Sequence, residues 1–333
     1  MRVLLLGGTR FIGLALVDEL LAAGDDVAVV HRGEHEPVLP PQVEHIHTPR
    51  RDLPAHRDAV ARFAPEAAID LAAMTAADAE AALATLDPGI PLVAVSSIEA
   101  YRVFDSIYAG TVTDAVPLTE DAPLRDGPYP ALDVAVSPGW DYEADQYDKL
   151  AVERLYLERG AAVCRLPMVY GPRDYKRRED FVLARVRAGR TRIPVGPGSF
   201  LASRGYAPEL ARGLRLAAER APGASVFNLA ERECAPIRLW GEEILSAAGH
   251  TAELVRVPED LLPADMGLTA EIPQPWLVDP GKAARELGWV HAPWRECVGR
   301  SVRWHLDHPP GPDEATVDFA ADDAALAAAA RRD

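Results

Sequence analysis

The chain has 333 residues, 48% of them apolar and 26% charged, which is the mix of a globular protein with a sizeable core. Asp and Glu number 51 against 35 Lys and Arg, and a net charge of −16 repels phosphate backbones and anionic lipid, so neither a nucleic-acid nor a membrane partner is expected. No apolar run reaches the roughly 18–20 residues that span a bilayer, and Met1-Arg2 leads straight into a glycine loop rather than an export signal. A cytoplasmic location is therefore expected, with Cys164, Cys234 and Cys297 as reduced structural thiols.

Short apolar runs alternate with stretches of helical period along the first 170 residues or so. The runs predict strands over 3–6, 26–30, 43–47, 67–71, 92–96, 162–166 and 226–229. Helices are expected over 11–23, 76–86 and 141–159. Such alternation implies an α/β fold, a Rossmann-type doubly wound parallel sheet that binds ligands at the carboxyl ends of its strands. After Tyr170-Gly171-Pro172 prolines break the pattern, which predicts a smaller, loop-rich C-terminal substrate lobe. The expected division is a dinucleotide-binding domain at 1–171 plus 203–230, a substrate lobe at 172–202 plus 231–310, and a flexible tail at 311–333.

The first strand runs into "GGTRFIG", residues 7–13, which opens the first helix. Backbone N–H groups at such a turn face a diphosphate, so Gly7, Gly8, Thr9, Arg10, Phe11, Ile12 and Gly13 are candidate cofactor residues. Arg10 stands where the G-x-G-x-x-G pattern has its middle glycine, and its guanidinium can lie over a phosphate instead. The second strand ends in His31-Arg32 rather than in the acidic residue that takes an NAD ribose. Arg32 beside Arg10 can pair with a 2′-phosphate, which favours NADP over NAD, although Glu34 is an alternative ribose partner.

"IDLAAM", "VAVSSIEAY", "TEDAPL", "CRLPMVYGPRD", "FNLAE" and "DPGKAARELGW" follow in that order. Together with the glycine loop they resemble the extended and atypical short-chain dehydrogenases, the NAD-dependent epimerase/dehydratase group that acts mostly on nucleotide sugars. The resemblance covers roughly residues 1–305. It implies that Leu71, Ala72, Ala73, Pro167 and Val169 lie along the cofactor, and that Ser97 holds a substrate oxygen. It also implies that Lys149 touches the nicotinamide ribose and lowers the pKa of a catalytic tyrosine.

In "DQYDKLAVERL" the expected tyrosine, four residues before Lys149, is replaced by Asp145. On a helix starting at 141, Asp145 shares the face of Lys149, whereas Tyr147 points about 200° away and Tyr142 lies two turns back. Asp145 is either a base or half of an ordinary surface salt bridge. The proton-handling role otherwise falls to Tyr142, Tyr147 or Tyr101.

The basic run "GPRDYKRRED" opens the substrate lobe, so Arg173 and Arg177, with Arg204 further on, are candidate contacts for an anionic substrate. Trp276, Trp289, Trp294 and Trp304 are expected to pack the lobe. The nine histidines show no H-E-x-x-H spacing, and no metal site is expected. Three functions remain open: an epimerase/dehydratase-type oxidoreductase on a nucleotide sugar or similar hydroxylated metabolite, a biosynthetic ketone reductase, and a dinucleotide-binding sensor or scaffold without turnover. The partner is a small molecule in each enzymatic case, and a homodimer through long helices fits the resemblance.

Overall fold

The computed structural model describes residues 1–34, 38–126, 146–311 and 317–331. The first apolar runs are strands β1 (Arg2–Leu6), β2 (Asp26–His31), β3 (Glu44–His47), β4 (Ala67–Asp70), β5 (Leu92–Ser97) and β6 (Ala162–Leu166). Between them lie helices α1 (Phe11–Ala22), α2 (Arg57–Phe63), α3 (Ala76–Thr85), α4 (Val103–Ala109) and α5 (Lys149–Glu158). The chain continues through β7 (Met168–Tyr170), α6 (Asp180–Arg187), β8 (Arg192–Val195), β9 (Arg204–Tyr206), α7 (Ala207–Arg220) and β10 (Ser225–Asn228). Last come α8 (Ile237–Ala247), β11 (Glu253–Arg256), α9 (Gly281–Glu286), α10 (Trp294–Asp307) and α11 (Phe319–Ala329).

Seven strands form one parallel sheet in the order β10-β6-β5-β4-β1-β2-β3. Its interior strands are buried on both faces, which is why they read as continuous apolar runs rather than alternating ones. Alternate residues of β1 serve opposite faces. Val3 and Leu5 pack with Leu16, Val17 and Leu20 of α1 and Leu210 and Leu214 of α7. Leu4 and Leu6 pack with Ala79 and Ala82 of α3 and Val152 and Tyr156 of α5. The winding direction reverses between β1 and β4, and this switch point opens a crevice at the carboxyl ends of the strands.

The later part of the chain leaves this sheet and returns to it. The pairs β7–β9 and β8–β11 form two small parallel sheets, and Phe181, Ile193, Phe200, Trp240 and Trp294 fill a second core beneath them. Through α7 and β10 the chain rejoins the large sheet beside β6. Among the described residues no helix is long and apolar enough to cross a membrane.

Two expectations need correction. The helix expected over 141–159 begins only at Lys149, because the Asp148 carboxylate accepts the Ala151 N–H at 2.9 Å and caps α5. Tyr147 therefore precedes the helix, and the angular argument that set it opposite Lys149 does not apply. The tail expected to be flexible over 311–333 contains α11. Asp322 of that helix is buried against the equally buried Arg185 of α6, 2.6 Å from Nη2, while Ala325 and Ala329 pack on Val257. An alanine-rich sequence carries little apolar area to announce such docking. Its anchor is an ion pair that bridges 137 positions of sequence.

Candidate active site

A cleft of about 800 Å³ lies over the switch point, within the size range of cofactor pockets. Its floor is the turn from β1 into α1. Gly7 and Gly8 have φ of +84° and +126°, a left-handed backbone that side chains rarely adopt, and Gly7 N–H donates to the Val30 carbonyl at 2.9 Å. Gly13 has a different task. A Cβ there would lie 2.2 Å from the Gly8 Cα, so only glycine lets the first turn of α1 close over the loop. Thr9, Arg10, Phe11 and Ile12 complete this wall. Amide donors at a helix N-terminus that lines a cleft suit a diphosphate, so the residues present fit a dinucleotide.

One end of the cleft is basic. His31 and Arg32 from the end of β2 line it with Arg50 and Arg51, and Arg32 also pairs with Glu34 at 3.1 Å. Beneath the cleft Asp70, fully buried at the end of β4, takes both Arg50 guanidinium nitrogens and the Tyr156 hydroxyl. Burial opposes its charge, but Arg50 outweighs burial and holds the carboxyl below the usual range. Asp70 also accepts the N–H groups of Ala72 and Ala73 at 3.0 and 3.1 Å, fixing the turn whose Leu71 and Ala72 face the cleft.

That turn reaches the other end. The Lys149 ammonium is buried and donates to the Ala73 carbonyl at 2.6 Å, with the Val95 carbonyl at 3.4 Å. Burial pulls it down to about 8, against the pull of Asp70 and Glu99. Lys149 itself is thus buried rather than at the surface, while Asp145, its expected partner, lies outside the described residues. Ser97 closes β5, and its Oγ accepts the Glu99 N–H at 3.1 Å. The Tyr147 hydroxyl lies 3.4 Å from Glu99 Oε2, and burial raises the Glu99 carboxyl despite nearby Lys149. Ser97, Glu99, Tyr147 and Lys149 all line the cleft, with Pro167, Val169, Arg178 and Trp276.

Several sequence-expected residues sit elsewhere. Asp145 and Tyr142 lie outside the described residues. Ala73 contributes its carbonyl rather than cleft wall. Tyr101 is buried away from the cleft and donates to Asn228 at 2.7 Å under the Arg165 guanidinium. Arg173 pairs with Asp18 on α1, and Arg177 pairs with Asp180, both off the cleft. Arg204 is buried against Trp240 and donates to the Ala235 carbonyl, away from the residues that line the cleft. Arg178 supplies the cation of that run, and Trp276, stacked on Phe104, reaches the cleft although it was expected only to pack.

Sequence reasoning missed Asp70, Arg50, Tyr156 and Glu99. An acid ending an apolar strand ("AAID") and one directly following Ser97-Ile98 were the available signals. A further group went unnoticed: His31, His45 and His47 converge at the ends of β2 and β3, where no metal site was expected.

The profile of the NAD-dependent epimerase/dehydratase family matches residues 3–230. Among curated proteins, the chain is similar to the 2'-dehydrokanamycin reductase of Streptomyces kanamyceticus, with 31% identity over 174 residues. That match covers 49% of this chain and 49% of the relative, so it spans about half of each. Among solved structures, it resembles the dTDP-glucose 4,6-dehydratase of Bacillus anthracis in complex with NAD, with a TM-score of 0.70 and 16% identity over 92% of this chain and 97% of that one. It also resembles the UDP-glucose 4-epimerase of Thermotoga maritima with UDP-glucose, with a TM-score of 0.67 and 21% identity over 92% and 99%. At these identities the structural likeness concerns the fold.

Proposed function

Because the chain belongs to the NAD-dependent epimerase/dehydratase family, we propose that it is an oxidoreductase acting on a nucleotide sugar or a similar hydroxylated metabolite by hydride transfer. The observation that carries this reading is the convergence of Ser97, Glu99, Tyr147 and Lys149 at one end of a cleft whose floor is the glycine loop. A pyridine nucleotide, when bound, supplies or accepts the hydride at a carbon that bears oxygen. The chain's own groups do the rest. The turn between Gly7 and Gly13, whose own N–H groups are held by the Val30 and Arg10 carbonyls, offers the amide donors of its intervening residues to the diphosphate. Lys149 offers an ammonium at the ribose end beside the turn that Asp70 fixes. Ser97 orients the substrate oxygen. The proton at that oxygen passes to or from the Tyr147 hydroxyl or the Glu99 carboxyl, whose burial brings it nearer to neutral range and so suits it to exchange protons.

Arg10, Arg32 and Arg51 around the far end support a 2′-phosphate, hence NADPH in preference to NADH. A second reading, reduction of a keto group on a sugar-like substrate, is favoured by the similarity to the dehydrokanamycin reductase. Binding of NADH and NADPH, followed by turnover of a panel of nucleotide sugars and keto sugars, separates these readings. Binding without turnover of any of them leaves the sensor reading. Lys149→Ala is expected to lower kcat by about 100-fold or more, and unchanged activity removes the role assigned to the ammonium.

The pH profile gives an independent check. Glu99 helps to keep Lys149 protonated, so Glu99→Gln lets burial depress the ammonium further below about 8. If the working form carries a charged lysine, the alkaline limb of kcat moves to lower pH in Glu99→Gln, and the acid limb set by the carboxyl disappears. A profile identical to that of the native protein excludes Glu99 from the chemistry.

A further inference from the structure

Strands β2 and β3 are parallel neighbours in which His31 pairs in register with His47. His45, two residues earlier on β3, lies on the same face as His47 because side chains alternate along a strand. Three imidazoles therefore stand together at the outer edge of the sheet. The ring centroids of His31 lie 5.1 Å from those of His45 and 4.5 Å from those of His47, and the candidate ligand atoms of all three lie within 4.8 Å of one another.

We infer that His31, His45 and His47 form a binding site for one Zn²⁺ or similar first-row divalent cation, separate from the reacting end of the cleft. Imidazole nitrogen is the ligand these ions favour, and rigid strands hold the donors. Around a tetrahedral ion with Zn–N bonds of about 2.0–2.1 Å, the nitrogens sit about 3.3 Å apart. His31 Nε2 and His45 Nδ1 are 2.8 Å apart and share a proton. The His31 and His45 rings thus need to part by only about half an ångström, and the His47 nitrogen, within 4.8 Å of the others, closes in by at most about 1.5 Å. The Gly33 N–H donates to His31 Nδ1 at 3.2 Å, so in the metal-free protein the His31 proton lies on Nε2. Metal binding moves it to Nδ1 and breaks that long, weak contact. The nearest cationic side chain in sequence, Arg32, is matched by Glu34. Water completes the coordination, since His47 is exposed.

Strands β1 and β4 separate this cluster from β5, which carries Ser97. The ion is therefore not placed to polarise a substrate at the proposed reacting end. His31 does face the cleft at the end where Arg32 and Arg51 lie, so the ion borders the far end of the bound dinucleotide.

Zinc titration of chelator-treated full-length protein, followed by calorimetry, tests the site. One equivalent per chain is expected, unaffected by excess Mg²⁺, which prefers oxygen ligands. His47→Ala should weaken binding by about tenfold or more, and His45→Ala with His47→Ala should abolish it. Thermal melting checks that the variants fold. Independently of any variant, Co²⁺ in the native protein should give visible bands of nitrogen ligation without thiolate charge transfer. The assignment fails if the native protein takes up no stoichiometric Zn²⁺, if uptake persists in the double variant, or if the cobalt spectrum shows sulfur ligation.

Discussion

Gly13→Ala is expected to weaken NADH or NADPH binding about 100-fold or more while leaving the protein folded. The added Cβ would lie 2.2 Å from the Gly8 Cα, 2.6 Å from its carbonyl carbon and 2.7 Å from its oxygen. These are backbone atoms, so no rotamer change relieves the clash. Either α1 lifts from the loop or the loop moves into the cleft by about an ångström, and a misplacement of that size costs about 100-fold where donors must meet fixed phosphate oxygens. The sheet is largely spared, because α1 remains anchored through Leu16, Val17 and Leu20. Gly299→Ala in α10 is the matched control: its Cβ meets nothing closer than 3.7 Å, and alanine favours a helix over glycine. Calorimetric titration of both variants with each nucleotide decides the matter. Binding by Gly13→Ala within about twofold of native, a gap under roughly half a kcal/mol, shows that the dinucleotide does not rest on this turn.

The expectations that held and those that failed differ in range. Strand positions follow from local runs such as Val3–Leu6, whose burial on both faces makes every residue apolar, or Ala162–Leu166, where the one buried charge, Arg165, is paired with Glu153. The glycine loop was equally local, since seven consecutive residues carry its geometry. Helix α5 was misjudged for a local reason too: Asp148 reads as one more polar residue in an amphipathic stretch, yet its carboxylate starts the helix by taking the Ala151 N–H. The rest of the site is long-range. Asp70 meets Arg50 across 20 positions and Tyr156 across 86, and no periodicity in the sequence announces such a triad. The three histidines converge only through strand register, which pairs His31 with His47. Arg204 shows the same limit, since nothing local in the sequence announces that its guanidinium is buried over the Trp240 ring.

Asp70→Ala is expected to lower folding stability by about 3–5 kcal/mol, since removing one partner of a buried ion pair strands the other. The value should fall near the lower end of that range, because Arg50 keeps 18% of its side chain exposed and retains bonds to the Asp78 carbonyl. Tyr156, fully buried, keeps only a long contact from Arg50 Nη2 at 3.5 Å, in which it accepts, so its own O–H proton loses its acceptor. Asp70→Asn preserves shape and an acceptor for Ala72 and Ala73 while removing the charge, so it isolates the electrostatic part. The Asp70 carboxyl is depressed on folding, and its contribution is therefore present above the unfolded value of about 4 and is lost as pH falls through the folded value. The stability gap between native protein and Asp70→Asn should accordingly be full at pH 7 and shrink in acid. Urea unfolding at a series of pH values measures it. The same carboxylate fixes the turn that presents the Ala73 carbonyl to Lys149, so nucleotide affinity should fall in Asp70→Ala even under conditions where the variant is fully folded. A gap that stays constant down to pH 3 would mean that Asp70 acts through packing alone, and the electrostatic link between the sheet and the lysine would have to be abandoned.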